Sequence, residues 1–210
     1  MSDPIPYNPL DKKHLGISVA NELLRCDAHP LGELQRFKGA GIYAIYYNGD
    51  SPLYTKLVAT SASESQQYPI YIGKAVPPGS RQGIFGLDQD PGDVLYKRLM
   101  EHAKSIRAAS STLNIDHFHC RYLVVEDIWI PLGESLLINR FAPPWNKVLD
   151  GFGNHDPGKG RYEQQRSRWD IVHPGRRWAD RCTPNNTSAE EIHADLKSYL
   201  DSIIPTIRFP

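Results

Sequence analysis

The chain has 210 residues, with 24 lysines and arginines against 24 aspartates and glutamates, so its formal net charge is zero. This length suits one domain with additions, and overall neutrality argues against a protein that coats nucleic acid through a uniformly basic surface. No apolar run reaches the roughly 18 residues of a membrane span and no charged-then-apolar leader opens the chain, so a cytoplasmic protein without a membrane anchor is expected.

In chain order, residues 1–40 form an N-terminal addition: a proline-rich start, then apolar positions at helical spacing through Leu15, Val19 and Leu23, then turn residues at Pro30, Leu31 and Gly32. Gly41 to Tyr47 reads as a strand, Asn48-Gly49-Asp50 as a turn, and Leu53 to Val58 as a second strand, followed by polar loop text over 60–67. Pro69 to Ala75 is another strand. A loop rich in glycine and proline holds Arg81 and Gln82, and a loop of that length in a domain is usually functional or mobile. A helix is expected from about Val94 to Ala109, a strand from His117 to Val125 and a helix from Pro131 to Phe141. Ser188 and Glu191 form a capping box ahead of Ile192, Leu196, Tyr199, Leu200 and Ile203. Cys26, Cys120 and Cys182, odd in number and widely spaced, fit neither a disulfide framework nor a paired zinc site, and His117 and His119 lack further ligands at metal spacing. The expected fold is α/β of the α+β type, a small, mostly antiparallel sheet flanked by helices.

Candidate chemistry concentrates on few side chains. At about 100° per residue, His102 and Arg98 lie about 20° and 60° from Leu95, on the face turned to the protein body. Two inward basic side chains are costly to bury unless an anion meets them, and a phosphate is one such anion. Glu134 is a lone carboxylate in a nearly apolar helix, where a cation would match it; a solvent-facing carboxylate in a first helical turn is the plainer alternative. A tyrosine at Tyr43 needs nearby cations to reach a reactive phenolate near neutral pH, and Lys74, Arg98 and His102 are the candidates.

Gly41-Ile42-Tyr43 and Tyr71-Ile72-Gly73, followed in order by Arg98, His102, Glu134 and Asn146, resemble the GIY-YIG endonuclease superfamily. The resemblance implies a nuclease core over 41–149, with Tyr43, Tyr71, Lys74, Arg98, His102, Glu134 and Asn146 at the active site. It implies one divalent metal, Mg²⁺ or another such as Mn²⁺, on Glu134. Here 27 residues separate Tyr43 from Tyr71, more than the short hairpin usual in the superfamily, so 48–68 is read as an inserted hairpin and loop and 76–93 as a second insert.

Charge distribution suggests where DNA would lie. From Lys159 to Arg181 seven lysines and arginines face three carboxylates, a surplus of four, and Lys97, Arg98, Lys104 and Arg107 against Glu101 leave a surplus of three. Arg81, Gln82, Lys104, Arg161, Arg166, Arg168, Arg176 and Arg177 are therefore the expected DNA contacts, with residues 150–210 a basic segment and C-terminal helix. The layout is most similar to type II restriction enzymes of the superfamily that recognise the palindrome CCGCGG. That resemblance implies a homodimer on double-stranded DNA and a cognate DNA methyltransferase as functional partner. A structure-selective repair nuclease, or a catalytically silent DNA-binding module of the same fold, is the alternative.

Overall fold

The computed structural model describes residue 8 and residues 10–63, 68–77, 90–158 and 162–203. Helix α1 (Lys12–Arg25) starts where the Asp11 side chain accepts from the Lys13 amide. Strands β1 (His29–Pro30), β2 (Gly41–Tyr47), β3 (Pro69–Ala75) and β4 (Phe118–Val124) form one sheet in the order β1-β4-β2-β3, antiparallel throughout. Helices α2 (Thr55–Ser63), α3 (Val94–Ala108), α4 (Ile130–Phe141), α5 (Pro144–Lys147), α6 (Arg168–Val172) and α7 (Ala189–Ile203) complete the fold. The α+β class expected from the sequence is the one observed.

Every residue of β2 is buried, because this central strand is covered on both faces. Tyr43, Ile45 and Tyr47 point into a core with Leu95 and Leu99 of α3, Trp145, Phe152, Trp169 and Leu196. Ile42, Ala44 and Tyr46 point into a second core with Ala20 and Leu23 of α1 and Leu137 and Phe141 of α4. Residues 150–210 thus supply Phe152, Trp169, Val172 and Leu196 to the same core as the central strand.

Three local expectations are corrected. Leu53 to Val58 is not a strand: a 3-10 turn over Pro52–Tyr54 leads into α2, because buried Tyr54 and Leu57 stand three apart, a helical spacing. Over residues 48–63 the insert is therefore a helical excursion and not a hairpin. The turn expected around Pro30 contains β1, two residues paired with His119 and Cys120, in an edge position that tolerates proline, followed by a 3-10 turn over Leu31–Glu33. Short α5 and α6 carried no periodic signal. Arg81, Gln82 and Arg161 lie outside the described residues.

The insert leaves the strand register intact. Tyr43 lies opposite Gly73 and Tyr71 opposite Ile45, which puts both tyrosines on one face, two residues apart on the diagonal. A bulge follows only at Ile45 and Tyr46. The glycines of both tripeptides have steric reasons. A Cβ on Gly41 would overlap the Leu123 carbonyl, and one on Gly73 would strike the Tyr43 phenol, 2.6 Å from Cζ. Gly73 is thus the notch over which the Tyr43 ring lies.

Candidate active site

Helix α3 delivers two side chains beneath the tyrosine face. His102 is 1% exposed and its Nε2 lies 2.6 Å from the Tyr43 hydroxyl, while its ring is 5.2 Å from that of Tyr71. Burial, aided by the cationic neighbours Arg98, His155 and Arg176, pushes the His102 pKa well below its ordinary value, so the imidazole is neutral at pH 7. Burial drives the Tyr43 phenol well above its ordinary value, Tyr71 adds to the rise and Arg98 opposes it. Tyr71 is raised by burial in the same way. A protonated phenol and a neutral imidazole share one hydrogen bond here, with the phenol as donor when the imidazole carries its proton on Nδ1. The cations a phenolate at Tyr43 would need do not prevail: desolvation outweighs Arg98, and Tyr43 rests as a hydrogen-bonded phenol.

Arg98 reaches the same place from one turn earlier on α3. Its Nη2 donates to the Gly153 carbonyl at 2.8 Å, and its Nη1 meets His155 Nε2 and the Glu101 carboxylate at 3.3 Å. Its side chain is 19% exposed. Both helix positions inferred from the 100° spacing are confirmed in direction.

Glu134 stands on α4, and Lys74 follows Gly73 on β3; Lys74 Nζ lies 2.7 Å from Glu134 Oε2. The Glu134 charge contributes to raising both Tyr43 and Tyr71, which sets it within electrostatic reach of the phenols. Its donor chemistry fits a hard divalent cation: a half-buried carboxylate, the one acidic side chain of α4, already matched by a cationic side chain. Asn146 is placed differently from expectation. β3 is an edge strand, and the Asn146 amide brackets its free side, Oδ1 accepting from the Ile72 amide and Nδ2 donating to the Ile72 carbonyl, both at 2.8 Å. It mimics a strand partner for the residue between Tyr71 and Gly73. A left-handed residue, Ala142 (φ 44°), ends α4 and turns the chain so that α5 delivers Asn146 there.

The basic segment is the larger correction. Arg176 is 5% exposed and bound internally, which removes it from the DNA-contact set. Arg166 pairs with Asp180 at 3.2 Å, Arg168 with Asp195 and Arg181 with Asp156 at 3.0 Å. Folding thus adds Asp156 and Asp195 to a segment whose own Asp170 and Asp180 already pair with Arg176 and Arg166. Lys104 and Arg177 are exposed and make no ion pair with a described residue. Phe152, Gly153 and His155, which line the site, were not anticipated; glycines flanking an aromatic in Gly151-Phe152-Gly153 were the available signal.

A family model described as the Eco29kI GIY-YIG domain matches residues 35–200. A comparison with curated proteins gave no match.

Proposed function

This chain belongs to the Eco29kI GIY-YIG family, a restriction-endonuclease branch of the GIY-YIG nucleases, and from that premise we propose a type II enzyme that hydrolyses double-stranded DNA at a GC-rich palindrome such as CCGCGG. The observation that carries it is the convergence, on one face of β2 and β3, of Tyr43 bonded to His102 with Tyr71 beside them, and Arg98 and Glu134 within electrostatic reach.

Mg²⁺, or Mn²⁺ in its place, would be held by Glu134 and would supply positive charge at the scissile phosphate. Tyr43 receives a proton from the attacking water while passing its own to His102 Nε2, so that the phenol never exists as a free phenolate. The water oxygen bonds to phosphorus, the bond to the 3′ oxygen breaks, and that oxygen takes a proton from solvent. Arg98 stabilises the negative charge that gathers on the phosphate oxygens, in a site where burial strengthens every charge interaction. The same negative charge favours the imidazolium that forms at His102, a state burial opposes in the free protein. Tyr71 orients the phosphate, and Asn146 holds the β3 edge that carries Tyr71 in register.

Lys104 and Arg177 are proposed to contact phosphates, with Arg81, Gln82 and Arg161 on sequence grounds and Arg166 and Arg168 through their remaining donors. One such site cuts one strand, so cutting both strands of a palindrome calls for a homodimer, with a methyltransferase protecting the host sequence. The test is digestion of a long phage DNA with Mg²⁺ by the protein and by Glu134→Ala, read on a gel. Discrete bands lost in the variant support the proposal. A smear points to unspecific cutting, and intact DNA with both proteins sinks it in favour of a binding module or a nuclease selective for branched DNA.

A further inference from the structure

We infer that Arg176 is a positioning residue of the active site: paired with Asp170, it fixes residues 151–154 as the wall against which His102 and Arg98 are held. The inference rests on the nuclease reading above.

Arg176 has five N–H donors, and each has a protein acceptor. Nε donates to Asp170 Oδ1 at 2.7 Å and Nη2 to Asp170 Oδ2 at 2.7 Å. Nη2 also donates to the Gly151 carbonyl at 2.8 Å, while Nη1 donates to those of Phe152 at 3.2 Å and Asn154 at 3.1 Å. The two side chains are 3% and 1% exposed, and the guanidinium lies over the Trp169 and Trp178 rings at 4.6 and 4.7 Å. No donor is left for a phosphate. Three carbonyls from four consecutive residues converge on one planar cation, which curls the segment around it.

The outer side of that curl touches three site residues. The Phe152 ring stacks on His102, centroids 4.4 Å apart and planes at 19°, and meets the Tyr71 ring edge-on at 4.9 Å. The Gly153 carbonyl accepts from Arg98 at 2.8 Å. A Cβ at Gly153 would stand 2.8 Å from the Tyr71 hydroxyl and 3.2 Å from Arg98 Nη2, so a side chain there would have to displace a site residue. Lysine in place of arginine keeps a charge for Asp170 but offers three donors from a single point, too few and too concentrated for the carboxylate and three spread carbonyls.

The test compares wild type, Arg176→Lys and Phe152→Leu by single-turnover cleavage of a phage DNA, by DNA affinity against salt, and by the ¹H–¹³C signal of the His102 ring. The expected result is a cleavage rate about 10- to 100-fold lower in both variants, as for a sub-ångström to 1 Å misplacement. DNA affinity stays within about twofold with an unchanged salt slope, and the His102 signal moves downfield in both as the stacked Phe152 ring leaves. Wild-type rate and an unmoved His102 signal in Arg176→Lys would overturn the inference. So would a salt slope reduced by about one with the saturated rate preserved, the mark of a phosphate contact. If Arg176→Lys does not fold, Phe152→Leu carries the test, because it leaves the Arg176 pair intact: a wild-type rate there overturns the wall. If the wild type cuts no DNA, the nuclease reading falls and the His102 signal alone decides the inference.

Discussion

Replacing Gly73 with alanine adds one methyl group at the point where the two motif strands face each other. The new Cβ would sit 2.6 Å from Tyr43 Cζ and 3.0 Å from Tyr71 Cε1, against an ordinary contact of about 3.5 to 4 Å between carbons. Relief requires the Tyr43 ring to move by about 1 Å, since β2 and β3 are paired continuously on either side. The hydrogen bond to His102 starts at 2.6 Å, and a 1 Å displacement stretches it to the limit of hydrogen bonding. Loss of that buried bond costs about 1–3 kcal/mol and the overpacking a similar amount, which for a chain of this length lowers Tm by roughly 4 to 24 °C. A reactive hydroxyl misplaced by about 1 Å costs on the order of 100-fold in rate. The assay is single-turnover cleavage of plasmid DNA with saturating protein and Mg²⁺, run well below the variant's Tm and paired with DNA affinity. Gly73→Ala is expected to bind DNA normally and cut about 100-fold more slowly. A folded variant that cuts at the wild-type rate would refute the placement of Tyr43 at the reacting centre.

Three further outcomes are expected. His173 is buried and neutral, its pKa pushed down to about 3 by burial, accepting at Nε2 from Tyr54 and bonded to Thr112 through Nδ1. The unfolded chain binds a proton there near pH 6.5 and the folded chain does not, so stability is lost as pH falls below 6.5, by about 2 kcal/mol at pH 5. His102 adds a loss in the same direction. Denaturant melts at pH 7.5 and 5 should show the decline, and His173→Gln should remove about 2 kcal/mol of it; an unchanged decline would count against the buried neutral histidine. Asn146→Leu deletes both bonds to Ile72, an expected loss of about 1–3 kcal/mol, with faster hydrogen exchange at the Ile72 amide as the local readout and unaltered exchange as the refuting result. Lys74→Met removes the cation 2.7 Å from Glu134, so Mn²⁺ titrated calorimetrically into DNA-free protein should bind several-fold more tightly; weaker binding would show that Lys74 does not compete for the carboxylate.

Features with a local cause were legible in the sequence. The strand bounds of β2 and β3 matched to the residue because β-branched and aromatic runs end there at glycine, proline and turn text. The inward direction of Arg98 and His102 followed from helical spacing alone. The capping box before α7 was borne out, Ser188 and Glu191 exchanging bonds at 2.8 and 3.2 Å. What failed depended on partners distant in sequence. Arg168 looks like a free cation in a charge count, but Asp195 reaches it only after α6 and α7 pack together, and Arg176 is closed by carbonyls 22 to 25 residues earlier in the chain. The protonation of Tyr43 was not legible, because cations can be counted along a chain while complete burial of the phenol cannot. Leu53 to Val58 resembles a strand in residue type, but the spacing of buried Tyr54 and Leu57 is helical.

The central claim is that the Tyr43 hydroxyl, held by His102, takes part in breaking the phosphodiester bond. Tyr43→Phe tests it most directly, because it keeps the buried ring and deletes one oxygen. Measured side by side with wild type on the same DNA with Mg²⁺, the variant is expected to keep DNA affinity within about twofold and lose cleavage by at least about a thousandfold, a change on the order of 4 kcal/mol in barrier. A Tyr43→Phe protein that cuts at close to the wild-type rate would contradict the account, leaving the Tyr43–His102 bond as a core contact alone.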